Sequence, residues 1–403
     1  MALDERVLEY IDSNRDEVVS FMQRLIQFPS VTESEAEIGA FMAGECAKDR
    51  LKVEIVEPTD GRVNVVAKYT GTGGGPKMMM YSHYDVVPAG ELSSWTHPPF
   101  GGEIHDGWLW GRGAQDNKIA TCALTMAYRA LQSLGIRLKG DIIFTHVGDE
   151  EVGGLYGFQE VLKRGYGENI DLLFYAHGGA PDTIGVAANG SRGDSFMVHG
   201  RSAHTARLED GVNAVVNAAG LVGDLQELAD VVNRRRYHLP GTDSVMQSRF
   251  SVNKIHGYVA HNNVPDRCEV VVDRRYTPGE TEEQIDGEYA GVVAKAKNKN
   301  LGLEVDYRVL SGNLVSVAPA DSVLVREIQR AAEKVIEIKP LPVGGSHSSD
   351  HGWFVKRHGK PFASYGIGGE GIHGANERIK VEDIIATTKV YALSMMGILG
   401  VVE

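Results

Sequence analysis

Five places in the chain carry side chains able to hold a metal ion or move a proton. The run MMMYSHYD, from Met78, ends in His83 and Asp85; IIFTHVGDEE, from Ile142, ends in Glu150 and Glu151; and LLFYAH, from Leu172, ends in His177. Two more groups lie in glycine-rich stretches, Asp116 in GRGAQDNK and His373 in GGEGIHGANE. Histidine and carboxylate without cysteine form the ligand set of zinc, manganese or cobalt hydrolase sites. A lone His-x-Asp reads as structural, and an isolated Glu-Glu pair reads as a solvated loop. Two carboxylates delivered together at a strand end are nevertheless costly unless a cation sits there. Together, the five groups point to a metal centre.

Their placement follows from the elements around them. Short apolar runs typical of buried strands begin at Lys52 (KVEIV), Val63 (VNVVAKY), Lys77 (KMMMYSH), Asp141 (DIIFTHVG) and Asp171 (DLLFYAH). Between and around them, helical spacing is read for the N-terminal segment, for 34–50 and for about 118–134, with Ser13 and Asp16 in a capping-box pattern. Strands alternating with helices predict an α/β domain built on a mostly parallel sheet. In such a sheet, sites form outside the carboxyl ends of the strands, so these distant residues are expected to converge.

The pattern changes after NGSRG (Asn189–Gly193). DRCEVVVD alternates apolar and polar positions through Cys268, Val270 and Val272, as a half-exposed antiparallel sheet requires. Helices are expected at 209–232 and 281–298, and the α/β character returns after about 310, with a helix at 321–337, the strand PFASYG and a last helix at 382–398. The expected organisation is a catalytic domain over 1–192 and 309–403, interrupted by a smaller α+β domain over 193–308. GIGGEG (Gly366–Gly371) has dinucleotide-fingerprint spacing, but no helix is expected directly after it. GGSHSSDHG (Gly344–Gly352) reads as a substrate-contact or turn segment, and no GxSxG elbow is present.

Composition narrows the function classes. The chain has 403 residues, enough for two or three domains, and a net charge of −13. That balance argues against nucleic acid or an anionic membrane as the main partner. Three scattered cysteines (Cys46, Cys122, Cys268) give neither a disulfide framework nor a zinc knuckle. The charged N-terminus lacks a signal-peptide core, and no run of apolar residues is long enough to span a membrane, so a cytoplasmic location is expected.

Read in order, the motifs resemble those of the dinuclear metallohydrolases that include aminoacylase, acetylornithine deacetylase, succinyl-diaminopimelate desuccinylase and glutamate carboxypeptidase, the M20-like peptidases. SHYDVVPAG, GRGAQDNK, GDEEVGG, NGSRGDSFMVHGRSAHTARLEDGVNAV, NNVPDRCEVVVDRRYTPGET and GIHGANERIKVEDI carry the likeness across nearly the whole chain. The resemblance implies a zinc-exopeptidase-like catalytic domain with an inserted lid and dimerisation domain, and two divalent ions per subunit, zinc first, with manganese or cobalt as alternatives. It implies His83, Asp116, Glu151 and His373 as metal ligands, Asp116 bridging, with Asp85 orienting His83. It makes Glu150 the general base and acid, and His204 a lid histidine that completes the active site, in the family's dimers from the other subunit. Asn263 and Arg275 match positions that hold a substrate carboxylate. The chain departs from the family where a Glu or Asp usually supplies the third ligand of the first metal. His177, 12 residues before Asn189, stands there, with Asp182 as the alternative. The expected reaction is hydrolysis of an amide bond in a small carboxylate-bearing substrate such as an N-acyl amino acid or short peptide. Hydrolysis of a carbamoyl or aromatic C–N bond, or a non-catalytic binding relative, is the alternative.

Overall fold

The computed structural model describes residues 2–257, 259–300 and 302–402. Its chain falls into two compact units, one of 1–186, 317–343 and 353–403, the other of 187–316 and 344–352.

In the first unit the apolar runs become strands β1 (Lys52–Val56), β2 (Asn64–Tyr69), β3 (Lys77–His83), β4 (Asp141–Val147), β5 (Leu172–Ala176), β6 (Thr183–Ala188) and β7 (Phe362–Tyr365). They line up in the order β1-β2-β4-β3-β5-β7-β6, extended by Ser316–Val317, with Leu341–Gly345 also pairing β6. The central strands β4, β3, β5 and β7 run parallel. β1 and β2 are antiparallel additions on one side, and β6 is antiparallel to β7 on the other. Central parallel strands are covered on both faces, which is why their sequences are apolar without alternation. On one face Tyr81 stacks between Phe158 and Tyr175, at ring-centroid distances of 4.2 and 4.8 Å, within a cluster that includes Met79, Leu173 and Phe354. On the other face the helix Lys118–Ser133 packs against β3, and the helix Val381–Leu399 packs against that helix. Tyr391 of the latter meets Phe174 edge-on.

A small antiparallel sheet of Ile104–His105, Trp108–Trp110 and Arg378–Lys380 joins the segment before Asp116 to the segment after His373. At the N-terminus the structure corrects the capping-box reading: Ser13 closes the helix Leu3–Ser13, and Asn14 starts Arg15–Ile26 without a side-chain cap. The chain is already helical through Ser13, which lies one residue before the N-cap Asn14 and so cannot cap the second helix.

The second unit is a four-stranded antiparallel sheet in the order Arg249–His256, Arg267–Tyr276, Gly190–His199, Glu304–Asn313. Helices Ala214–Val232 and Glu282–Lys299 cover one face through Leu221, Leu225, Ile285 and Tyr289, which meet Phe196, Val270 and Val272. The alternation read in DRCEVVVD is therefore the difference between a helix-covered face and an uncovered one.

Candidate metal centre

The site converges on Asp116. Its Oδ1 lies 3.1 Å from His83 Nε2 and 3.5 Å from His177 Nε2, and its Oδ2 lies 3.2 Å from His373 Nε2. His373 Nε2 is also 3.0 Å from Glu151 Oε2, and Glu150 Oε2 is 3.8 Å from His83 Nε2. Six of the residues singled out from sequence thus meet within the first unit.

Each is positioned by its own element. His83 is the last residue of β3 and His177 follows β5 directly. Their Nδ1 atoms lie against backbone carbonyls, of Asp85 at 3.3 Å and of Gly178. Since a carbonyl only accepts, both rings carry Nδ1–H and turn Nε2, the remaining nitrogen, toward Asp116. After β4 the chain passes through Asp149, a non-glycine residue at φ +68°, into a short turn at Glu150–Val152. Asp149 is held there by Arg62 and by the N–H of Tyr156. The turn itself is fastened to Asp85: the N–H of Glu150 donates to Oδ1 at 3.2 Å and that of Glu151 to Oδ2 at 3.3 Å, while Thr32 Oγ1 donates to Oδ2 at 2.9 Å. Asp85 therefore orients more than His83; it fixes the backbone that presents both glutamates.

Asp116 is anchored by a residue that sequence reasoning missed. The buried carboxylate of Glu377 accepts from the N–H groups of Gly113, Gln115 and Asp116 and from Arg112 Nη1, at 2.7 to 3.0 Å. On the far side Asn117 Nδ2 donates to the Ala176 carbonyl, beside His177. Glu377 is four residues from His373, so one loop carries a donor atom and the clamp for another.

The electrostatics favour positive charge at this point. Burial disfavours ionised Asp116, but His177, His373 and His83 outweigh it and hold its carboxyl well below the usual range. Burial also opposes charge on His83, yet Glu150, Asp116 and Asp85 raise it well above its ordinary value. Asp116 and Glu151 raise His373 to about 10. Burial pushes Glu151 upward despite His373. A field that binds protons this tightly also binds a dication. Three inward-facing atoms, His83 Nε2, Asp116 Oδ1 and Glu151 Oε1, are buried without a hydrogen-bond partner among the described residues. One donor atom from each of these residues lies within 4.8 Å of the others. Buried polar atoms without partners are rare, and here they share one focus, so the donor set fits divalent metal.

The remaining candidates lie elsewhere. Asp182 is exposed in the turn before β6. In the second unit His204 pairs with Asn263 in a short antiparallel ladder, and Asn263 Nδ2 donates to Ser202 Oγ. His204 Nδ1 accepts from the N–H of Ala206 at 3.0 Å, which leaves Nε2–H on the exposed side as a donor. Arg275 is half-exposed, paired with Asp273 at 3.0 Å and donating to Ser348 Oγ in the GGSHSSDHG loop.

Residues 79–396 match Peptidase family M20/M25/M40. The chain belongs to that family. It is a metal-dependent hydrolase acting on C–N bonds. Among its relatives, the succinyl-diaminopimelate desuccinylase of Paracoccus denitrificans is 28% identical over 382 residues, covering 91% of this chain and 94% of its own. An M20 metallo-carboxypeptidase from Sulfolobus solfataricus superposes with a TM-score of 0.79 at 18% identity, covering 95% of this chain and 100% of its own. A dinuclear metal-binding M20 peptidase from Bacillus subtilis superposes at 0.71 with 16% identity, covering 97% and 100%. Among the described residues no helix is long and apolar enough to cross a membrane.

Proposed function

We propose that this M20 hydrolase cleaves the amide bond of a small carboxylate-bearing substrate, an N-acyl amino acid or short peptide, with two divalent ions held by His83, Asp116, Glu151, His177 and His373. The observation that carries the reading is the clustering of three imidazoles and two further carboxylates around Asp116. When bound, the ions would supply Lewis acidity that acidifies the attacking water and polarises the carbonyl. Glu150, at the edge of this cluster, accepts the water proton and returns it to the leaving amine. Asp85 keeps Glu150 and Glu151 in register through their N–H groups. His204, with Nε2–H as donor, supports the developing oxyanion, and Arg275 and Asn263 take the substrate carboxylate.

Zinc suits the nitrogen and oxygen donors best, with manganese or cobalt as alternatives. We assign 1–192 and 309–403 to the catalytic domain and 193–308 to a lid that also pairs subunits into a homodimer. The outermost strand Glu304–Asn313 of the second compact unit, which begins in that domain and carries exposed Val309 and Leu310, supports the pairing. The three cysteines are buried free thiols, which supports a reducing cytoplasm. His177 at a ligand position normally held by a carboxylate leaves Asp116 and Glu151 as the anionic ligands and favours a second reading, cleavage of a carbamoyl or aromatic C–N bond.

Both readings are tested by stripping metal with chelator, restoring Zn²⁺, Mn²⁺ or Co²⁺, and assaying N-succinyl and N-acyl amino acids, dipeptides, carbamoyl amines and aryl amines. Turnover of the first three classes that returns only with metal is expected. Full turnover in metal-free protein overturns both readings, and exclusive turnover of the last two classes selects the second.

A further inference from the structure

We propose that His97, Glu103 and His105 form another divalent-cation site on the catalytic unit, with a donor set separate from the Asp116 centre and suited to Zn²⁺, Co²⁺, Ni²⁺ or Cu²⁺. Glu103 Oε2 reaches a nitrogen of each ring, 2.8 Å from His105 Nε2 and 3.4 Å from His97 Nδ1. One donor atom from each residue lies within 4.8 Å of the others. A tetrahedral ion with bonds of about 2.0–2.2 Å needs donors roughly 3.3–3.5 Å apart, so an ion is accepted once the half-exposed His105 ring turns out of the stack and its hydrogen bond to Glu103 opens. Two imidazoles and one carboxylate select borderline cations over Mg²⁺ or Ca²⁺, which prefer oxygen cages.

The donors are held by fixed backbone. His105 ends one strand of a tight hairpin that turns at Asp106 and Gly107, φ +51° and +78°, and pairs with Trp108. Glu103 precedes that strand, and its carbonyl accepts from the Trp110 N–H at 2.9 Å. The preceding turn is tied down by Gln23 Nε2, which donates to the Gly102 carbonyl at 2.7 Å. On the other side, the Thr96 N–H donates to Asn376 Oδ1 at 2.7 Å, fixing the residue before His97. The two imidazoles lie nearly parallel, with centroids 3.8 Å apart, and the Trp110 ring backs His97 at 4.7 Å. His97 is the most sheltered of the three side chains, and Glu103 and His105 are about half open to solvent, so water can complete the coordination and an ion can enter. Two rings that share one carboxylate oxygen can be neutral ligands around a cation once they leave the stack. Carrying a proton each, they would repel.

The test compares metal-stripped wild type with the His97→Ala/His105→Ala double variant and with Glu103→Gln. Bound ions are counted by equilibrium dialysis against micromolar Zn²⁺. The double variant should bind one ion fewer than wild type, and Glu103→Gln should weaken that ion at least tenfold. In protein preloaded with two equivalents of Zn²⁺, added Cu²⁺ should quench tryptophan fluorescence through the neighbouring Trp110 in wild type and not in the double variant. Amide turnover should stay within twofold in all three proteins. The readout is a difference between variants, so it holds whatever number of ions the Asp116 centre takes. Equal ion counts in wild type and both variants, or an ion held only at millimolar metal, would overturn the proposal.

Discussion

The carboxylate of Glu377 accepts the backbone N–H of Asp116 at 3.0 Å, so the central acidic side chain of the site is aimed by another buried acid. Three further N–H donors converge on the same carboxylate, from Gly113, Gln115 and Arg112. Burial raises the pKa of Glu377 against those donors, yet their number and the Arg112 charge suit an ionised acceptor. Glu377→Gln would turn one acceptor oxygen into an NH₂ group facing N–H donors. The expected result is metal affinity lowered about 10- to 100-fold, the scale for losing the support of a ligand, and about 2–4 kcal/mol of stability lost. Metal titration and urea unfolding measure the two effects. Unchanged metal affinity would reduce Glu377 to a purely structural residue.

Glu150 and Glu151 are neighbours with different surroundings. Glu151 reaches His373 at 3.0 Å, whereas Glu150 faces His83 at 3.8 Å. Glu150→Gln should keep its metal and lose about 10²–10⁴ in turnover, the scale of a lost general base. Glu151→Gln should lose metal instead. Two ions held equally well by both variants would reverse or dissolve these assignments, and elemental analysis beside kcat decides.

His177 and Asp182 competed for one role in the sequence, and only His177 is found beside Asp116 in the cluster. His177→Ala should leave one metal position weakly occupied, while Asp182→Ala should match wild type in ion count. Metal loss in the Asp182 variant alone would restore a carboxylate ligand and remove the support for an unusual C–N substrate.

Several candidate site residues were legible because they sit where strands end. A run such as KMMMYSH announces both a buried parallel strand and the crevice into which its last residue points, and β3, β4 and β5 deliver His83, Glu150 and His177 accordingly. Glu377 left no comparable trace, because it acts on backbone N–H groups far away in the chain, and backbone donors have no sequence signature. The short hairpin at 104–110 and the outer pairings of β6 with Leu341–Gly345 were also hidden. Strands of two to six residues at an edge carry too few alternations to show a period. His146 belongs to no sequence motif, and its place in β4, fully buried against Ser82, is set by the sheet register rather than by chemistry.

That burial has a measurable consequence. His146 Nδ1 meets Ser82 Oγ at 2.8 Å, and desolvation pushes its pKa from 6.5 down to about 4. Well above pH 6.5 the ring is neutral whether the chain is folded or not. Between pH 6.5 and about 4 the unfolded chain binds the proton and the folded chain does not, so stability falls as pH falls. Between pH 7.5 and 5 this group alone should remove about 2 kcal/mol. His146→Gln keeps a partner for Ser82 without the titration, so its urea-unfolding free energy should drop less over that interval, by about the same amount. Parallel pH profiles for the two proteins would show that His146 does not stay neutral in the fold.

Arg275 lies on the strand Arg267–Tyr276 of the second unit, with Nε on Asp273 and Nη1 on Ser348, and is half-exposed. One carboxylate contact orients the guanidinium without burying it, so its outer N–H groups are available for a bidentate grip on a second carboxylate. Arg275→Ala should therefore raise KM for N-acyl amino acids by roughly 10- to 100-fold, as expected for loss of a charge-assisted pair, with a small change in kcat. Amidated or esterified analogues of the same substrates have no charge to lose and should bind the variant and wild type alike. Asp273→Asn separates recognition from scaffolding: it loosens the guanidinium but leaves its charge, so carboxylate substrates should lose only a small part of the same factor. Equal losses on charged and neutral substrates would mean that Arg275 serves the strand through Asp273 and Ser348 and that another cation recognises the substrate.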